Sequence, residues 1–225
     1  MNKKFSPVFL FFALIFATCL IVANIVEQKL IRLGPFEATA GLLIFPLSYV
    51  VNDLIAEVWG YRAMRALIWY AFFMNFIAVA IFHIAIYVPG SANFAHQQAF
   101  ALVLGNTLLI TVASFVAFLV GSFLNAYVMS KMKIARRGHS FSLRAVVSTL
   151  AGEGADSVVF FSIAFGLYLP AKTLIILIVT QIAMKTIYEI IVLPLTVQVV
   201  KFVKKREQTD IFDDGISYNP FVNNN

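Results

Sequence analysis

Six charged side chains fall inside stretches that are otherwise apolar enough to lie in lipid: Asp53, Glu57, Glu153, Asp156, Lys185 and Glu189. Each costs roughly 2.5–3.5 kcal/mol at the centre of an inserted helix, so such residues usually face a bundle interior or aqueous cavity and mark a pathway. Their spacing supports that reading. Tyr49, Asp53 and Glu57 recur every four residues with Asn52 beside them, which places them on one helical face. Thr149, Gly152, Glu153, Asp156 and Phe160 form a second such face, and Gln181, Lys185 and Glu189 a third. Thr107, Thr111, Ser114, Ser122 and Asn125 add a milder polar stripe, and Asn75 and His83 a pair of isolated polar positions. Several helices thus each offer one polar face, as a central site would require.

Each position also has a structural alternative. Glu57 can pair with Arg62 or Arg65, and Lys185 with Glu189 one turn away. Asn75 and the hydroxyl stripe can serve only as helix–helix hydrogen bonds. Trp59, Tyr61, Trp69 and Tyr70 read as an interfacial aromatic belt. Gly152-Glu153-Gly154, Pro46 and Pro194 are expected to break their helices and free backbone groups for a ligand. Gly152-Glu153-Gly154-Ala155-Asp156 also suggests the Gly-x-Gly-Asp motif of intramembrane aspartyl proteases, with Asp53 as partner acid. It has one residue too many, and Asn52 rather than tyrosine precedes Asp53. There is no G-x-S-x-G elbow, no H-E-x-x-H pair and no P-loop. The single cysteine, Cys19, excludes a disulfide framework within the chain and a multi-thiolate metal site. No cofactor or metal is expected.

The elements that must position these faces follow from composition. Of 225 residues, 61% are hydrophobic, 12% are charged and 23 are Phe, against about 45–50% and 25% for the first two in soluble domains. A soluble core of this size cannot bury that much apolar surface. Six runs approach the roughly 20 residues a spanning helix needs, at about 8–26, 40–58, 66–88, 103–129, 145–169 and 171–200. The expectation is an all-α integral membrane protein, with a transmembrane domain over 1–206 and a polar cytoplasmic tail over 207–225 that reads as frayed.

Basic residues set the orientation. Lys3, Lys4, Arg62, Arg65, Lys131, Lys133, Arg136, Arg137, Arg144, Lys201, Lys204, Lys205 and Arg206 fall on one side; Lys29, Arg32 and Lys172 fall on the other. Both termini are therefore expected in the cytoplasm. The net charge of +6 reads as topology, and nucleic acid is not expected as a partner.

Three ordered motifs carry a resemblance. Phe45-Pro46-x-x-Tyr49-x-x-Asn52-Asp53-x-x-x-Glu57-x-x-Gly60, then Arg144-x-x-x-Ser148-Thr149-x-x-Gly152-Glu153-x-x-Asp156-Ser157-x-x-Phe160, then Gln181-x-x-x-Lys185-x-x-x-Glu189-x-x-x-x-Pro194 resemble the signatures of the VUT family, the YhhQ-like queuosine precursor transporters. The similarity runs from about residue 10 to 200; Asn125 stands where many members carry aspartate. The resemblance implies a six-helix importer in the bacterial inner membrane, with a fold similar to the substrate-binding components of vitamin ECF transporters. Its substrates would be 7-cyano-7-deazaguanine, the aminomethyl analogue and, in some members, queuine.

On that reading a buried carboxylate accepts the two parallel donors of a guanine-type edge. Glu153 is the preferred acceptor and Asp156 the second choice. Gln181, Asn75 or Lys185 would meet the O6 acceptor, and Phe45, Tyr49 and Phe160 would stack on the ring. Asp53 or Glu189 would carry a proton or balance a cationic aminomethyl group. The coupling ion, proton or sodium, and the oligomeric state stay open. A vitamin-binding subunit that needs an ATPase partner is the alternative.

Overall fold

The computed structural model describes residues 6–221 apart from 28, 34–35, 92 and 106–107. Lys3, Lys4, Thr107 and the last four residues of the tail lie outside that set. Helix α1 (Pro7–Val26) starts where Ser6 Oγ accepts the Phe9 N–H at 3.0 Å, with proline in the first turn, where its missing N–H costs nothing. An antiparallel pair follows, β1 (Leu30–Leu33) and β2 (Phe36–Thr39), in register Leu30 opposite Thr39. This hairpin is a local departure from the all-α expectation. A 3-10 turn (Ala40–Leu43) leads into α2 (Phe45–Tyr87), α3 (Gln97–Leu104), α4 (Leu108–Ala135), α5 (Phe141–Phe165) and α6 (Ala171–Glu207). Among the described residues, five helical segments are long and apolar enough to cross a membrane.

Helix α2 is 43 residues long. Straight, it would measure about 65 Å, twice the roughly 30 Å hydrocarbon core. It is not straight. Gly60 has φ 81° and ψ 172°, a conformation that only glycine adopts without strain. Phe45 and Asn75, about 45 Å apart along a straight helix, line the same cavity. The segment therefore doubles back at Gly60 into two limbs, 45–59 and 61–87. Pro46 sits at the start of the first limb rather than interrupting it. That limb is buried on every side from Tyr49 to Val58, as a central helix must be. The second limb turns Phe73, Phe76, Ile77, Ile81 and Ile84 outward.

Between apolar helices in lipid there is little hydrophobic driving force, and close packing of small residues takes its place. Gly121 of α4 and Gly152 of α5 meet in this way. A Cβ at Gly152 would lie 2.7 Å from Asn125 Cβ, 2.8 Å from the Gly121 carbonyl oxygen and 3.0 Å from Tyr49 Cε1. Gly152 is thus a point of close approach, and α5 runs unbroken through Gly152-Glu153-Gly154, contrary to the break expected there. Pro194 likewise lies inside a continuous α6. Gly152→Ala should destabilise the bundle by about 1–3 kcal/mol, because a carbonyl oxygen and a Cβ cannot swing aside. Gly154→Ala, whose nearest neighbour is Ile182 Cδ1 at 3.9 Å, should be tolerated. Thermal midpoints in detergent compare the two, and equal midpoints would contradict the close contact.

The polar tail is not frayed over its described part. The Ile211 N–H donates to the Val58 carbonyl at 3.2 Å. Asp213 Oδ2 accepts from the Tyr61 N–H at 2.8 Å and from Ser130 Oγ at 2.6 Å. The break at Gly60 leaves the Tyr61 N–H without an intrahelical acceptor, and Asp213 caps it from elsewhere in the chain. Tyr61 Oη donates to the Tyr218 carbonyl at 2.9 Å, Arg65 Nη1 to that of Asn219 at 2.9 Å and Trp69 Nε1 to that of Pro220 at 3.0 Å. Tyr61 and Trp69, expected in an aromatic belt, instead anchor the tail. Burial raises the Asp210 carboxyl, but hydrogen bonds from Lys133 and Lys204 outweigh it and hold the group below the usual aspartate value.

Candidate functional site

The C-terminal end of α1, the start and second limb of α2, and the facing sides of α4, α5 and α6 enclose one cavity. Its floor is an ion pair between helices: Lys185 Nζ of α6 lies 3.0 Å from Asp156 Oδ2 of α5. The same ammonium sits 4.4 Å from the centre of the Phe45 ring, within cation–π range. Phe118, Phe160 and Phe161 supply further aromatic wall, and Gln181 an amide. On the opposite wall Asn24 Nδ2 donates to Asn75 Oδ1 at 2.9 Å. Glu27 completes the lining, within electrostatic reach of Lys185 and Asp156.

Six of the eleven residues singled out in the sequence line this cavity: Phe45, Asn75, Asp156, Phe160, Gln181 and Lys185. The other five, Tyr49, Asn52, Asp53, Glu153 and Glu189, lie buried outside the lining. Tyr49 backs Phe45, their ring centroids 5.7 Å apart. Sequence reasoning passed over Asn24 and Glu27; the signal for them was one polar face, three residues apart, at the end of the first apolar run. Lys185 pairs across to Asp156, not with Glu189 on its own helix as the spacing allowed. The ion pair therefore belongs to the cavity, not to the insertion of α6.

Beyond the cavity lies a layer of buried carboxyls. Asp53 Oδ1 accepts from Asn125 Nδ2 at 2.6 Å and lies 3.2 Å from Ser148 Oγ. An amide at 125 can donate here, as an ionised aspartate could not. Asn52 Nδ2 donates to the Ser122 carbonyl at 3.2 Å. Both oxygens of Glu153 and both of Glu189 have no hydrogen-bond partner among the described residues, and both residues are wholly buried. Glu153 is within electrostatic reach of Lys185, Asp156 and Glu189, and Asp53 of Glu189 and Glu57.

A third layer is neutralised. Arg144 grips Glu57 with two guanidinium nitrogens, the Nη2–Oε1 contact at 2.9 Å. Lys204 Nζ reaches Glu57 Oε1 at 2.6 Å. Glu57 thus pairs with α5 and α6, and not with Arg62 or Arg65 of its own segment. Arg144 and Lys204, counted in the sequence as topological charges, are also internal partners.

Residues 39–199 match the family described as "Putative vitamin uptake transporter". The chain belongs to this family. It is similar to the queuosine precursor transporter of Escherichia coli (strain K12), 27% identical over 64% of this chain and 62% of that protein. The probable queuosine precursor transporter of Haemophilus influenzae is 28% identical over 62% of this chain and 59% of its own length. A Bacillus subtilis protein of the same description is 24% identical over 92% and 90%. The chain thus spans less than two thirds of the length of the first two relatives. No solved structure matches. Membership of this family, with several apolar helices, makes this a multi-pass membrane protein, and a family and relatives described as transporters set aside the protease reading. The geometry agrees, since Asp53 and Asp156 bond to Asn125 and Lys185 rather than to each other.

Proposed function

We propose that this transporter imports queuosine precursors, the 7-deazaguanines that include 7-cyano-7-deazaguanine, its aminomethyl analogue and queuine, across the bacterial inner membrane. The observation that carries the reading is the cavity of Asp156, Lys185, Gln181 and phenylalanine rings. A guanine-type edge presents a ring N–H beside an exocyclic amine, and one carboxylate accepts both. Asp156 lines the cavity and takes that role in place of Glu153. Lys185 and Gln181 donate to O6, and Phe45 and Phe160 cover the ring faces. The names of the relatives supply the substrate class, and the cavity supplies a chemistry suited to it.

The two limbs of α2 count as two crossings in this reading, giving six, with both termini cytoplasmic and an architecture akin to ECF substrate-binding components. The doubling back at Gly60 and the distribution of lysine and arginine support that topology. So does the meeting of Glu57, Arg144 and Lys204 from three helices at one end of the bundle.

The test is import in a bacterium that can neither make nor import queuosine precursors. Expression of the chain with submicromolar 7-cyano-7-deazaguanine or its aminomethyl analogue should restore queuosine to tRNA, seen as retardation on boronate gels through its cis-diol. Failure with every precursor, despite correct membrane insertion, would overturn the reading.

A further inference from the structure

Beyond the cavity, the bundle holds more negative charge than its cations neutralise. Glu57 has Arg144 and Lys204, and Asp156 has Lys185. Asp53, Glu153 and Glu189 have no ion-pair partner among the described residues, and each is 0% exposed. Taking an ion out of water costs several kcal/mol even after relaxation. Glu189 is within electrostatic reach of both Asp53 and Glu153, so three uncompensated carboxylates would also repel. The four oxygens of Glu153 and Glu189, buried and without hydrogen-bond partners among the described residues, are a second, independent sign that something small and positive belongs there. No three of the described carboxylates, histidines or cysteines converge as a metal ion requires. A proton requires only one oxygen.

We propose that Asp53, Glu153 and Glu189 form a proton-binding relay, and that the transporter couples import of its substrate to inward movement of a proton through it. The inference rests on the transport reading above and adds its driving force. The relay adjoins the cavity through two helices. Glu153 is three residues from Asp156 on α5, and Glu189 four residues from Lys185 on α6, so each lies one turn from a member of the cavity's ion pair.

That placement gives a mechanism. With the cavity empty, Lys185 is held by Asp156 and Glu153 carries a proton. When substrate donors engage Asp156, the Lys185 N–H that Asp156 held is freed to turn toward Glu153, while another stays on O6, and the ammonium favours the ionised form of Glu153. The O–H bond at Glu153 breaks, an O–H bond forms on the carboxylate of Glu189, which is within electrostatic reach of both Glu153 and Asp53, and Glu153 is left paired with Lys185. Among the described residues, the other titratable groups within electrostatic reach of the relay are Tyr49 and Glu57 on α2, Asp156 on α5 and Lys185 on α6; Arg144 and Lys204 lie behind Glu57. Glu27 faces Lys185 from the end of α1, and α4 presents the uncharged Asn125. Glu57 is already held by two cations, so Asp53 is the last carboxyl of the relay, and its O–H bond breaks to water when the bundle opens at the end of Glu57 to release the substrate.

The experiment uses the full chain in liposomes with radiolabelled 7-cyano-7-deazaguanine, the membrane potential clamped by potassium and valinomycin. An outside-acid pH gradient should drive accumulation at least tenfold above the level without a gradient. Trapped pyranine should report acidification of the lumen when substrate is added. Asp53→Asn and Glu189→Gln, neither of which lines the cavity, should abolish gradient-driven accumulation while exchange of labelled for unlabelled base continues. Wild-type exchange without any response to the pH gradient, or accumulation that follows a sodium gradient instead, would overturn the relay and leave the transport reading intact. Loss of exchange together with accumulation in both variants would assign these carboxyls to binding or folding and overturn it too. Absence of exchange by the wild type with every 7-deazaguanine would overturn the transport reading itself.

Discussion

Arg144→Met should leave almost no folded transporter in the membrane. Arg144 is wholly buried and Glu57 is 1% exposed, so their forked contact is shielded from water on all sides. The guanidinium also ties down the loop before α5, donating from Nε to the His139 carbonyl and from Nη2 to that of Gly138, each at 3.1 Å. Removing one partner of such a pair typically costs 3–5 kcal/mol, because the other is left charged and buried. That is a large share of the roughly 5–15 kcal/mol by which proteins are stable. Lys204 would remain on Glu57 but cannot supply the fork or the two loop contacts. Arg144→Lys should therefore fail nearly as badly, since an ammonium is a point donor. Arg144→Met combined with Glu57→Gln should recover part of the loss by removing the stranded charge. Fluorescence-detected size exclusion of detergent extracts measures folded yield. A single Arg144→Met with normal yield would contradict the structural role assigned to the pair.

Asp156→Asn should reduce uptake by roughly 10- to 100-fold at low substrate concentration while the protein reaches the membrane in normal amount. The substitution keeps the shape of the side chain and removes the charge that makes its hydrogen bonds worth about 1.5–3 kcal/mol. Lys185→Met should cost a similar factor, because it removes a donor and leaves Asp156 unpaired. The double variant should lose less than the product of the two single factors, as interacting neighbours do. Uptake by Asp156→Asn equal to wild type, at equal protein, would remove the cavity from the substrate's route. Product factors in the double variant would show that the pair does not act as a unit.

Periodicity predicted which residues share a face but not which helix that face would meet. Tyr49, Asp53 and Glu57 do lie along one helix, yet the partner of Glu57 is 87 residues away at Arg144. That of Asp156 is 29 residues away at Lys185. The i,i+4 rule offers Lys185 to Glu189 equally well, and only tertiary packing decides between them. Glycine and proline in membrane helices signal breaks by the usual rules, but close packing between helices selects the same residues. Gly152 illustrates the second use, and Gly60, which carried no comparable weight in the sequence, the first. The tail misled for a different reason. Its Asp, Gly and Asn content reads as solvated, and the counter-signal was apolar Ile211, Phe212 and Tyr218 set among those residues. Phe212 packs over Gly138, where a Cβ would come within 2.9 Å of its ring, and its ring centre lies 4.7 Å from Lys133 Nζ.

The contact of Asp213 with Tyr61 also fixes an order of assembly. The capping carboxylate leaves the ribosome after every helix of the bundle, while the N–H it satisfies belongs to one of the first segments inserted. During synthesis the turn at Gly60 therefore remains uncapped, and the two limbs of α2 can still adjust against α4, α5 and α6 as these arrive. The bundle is set only when the tail threads back across the end at which Gly60 turns. Chains that stall before residue 213 should sit in the membrane with their helices inserted but their second helix unsecured, open to the proteases that clear unfinished membrane proteins.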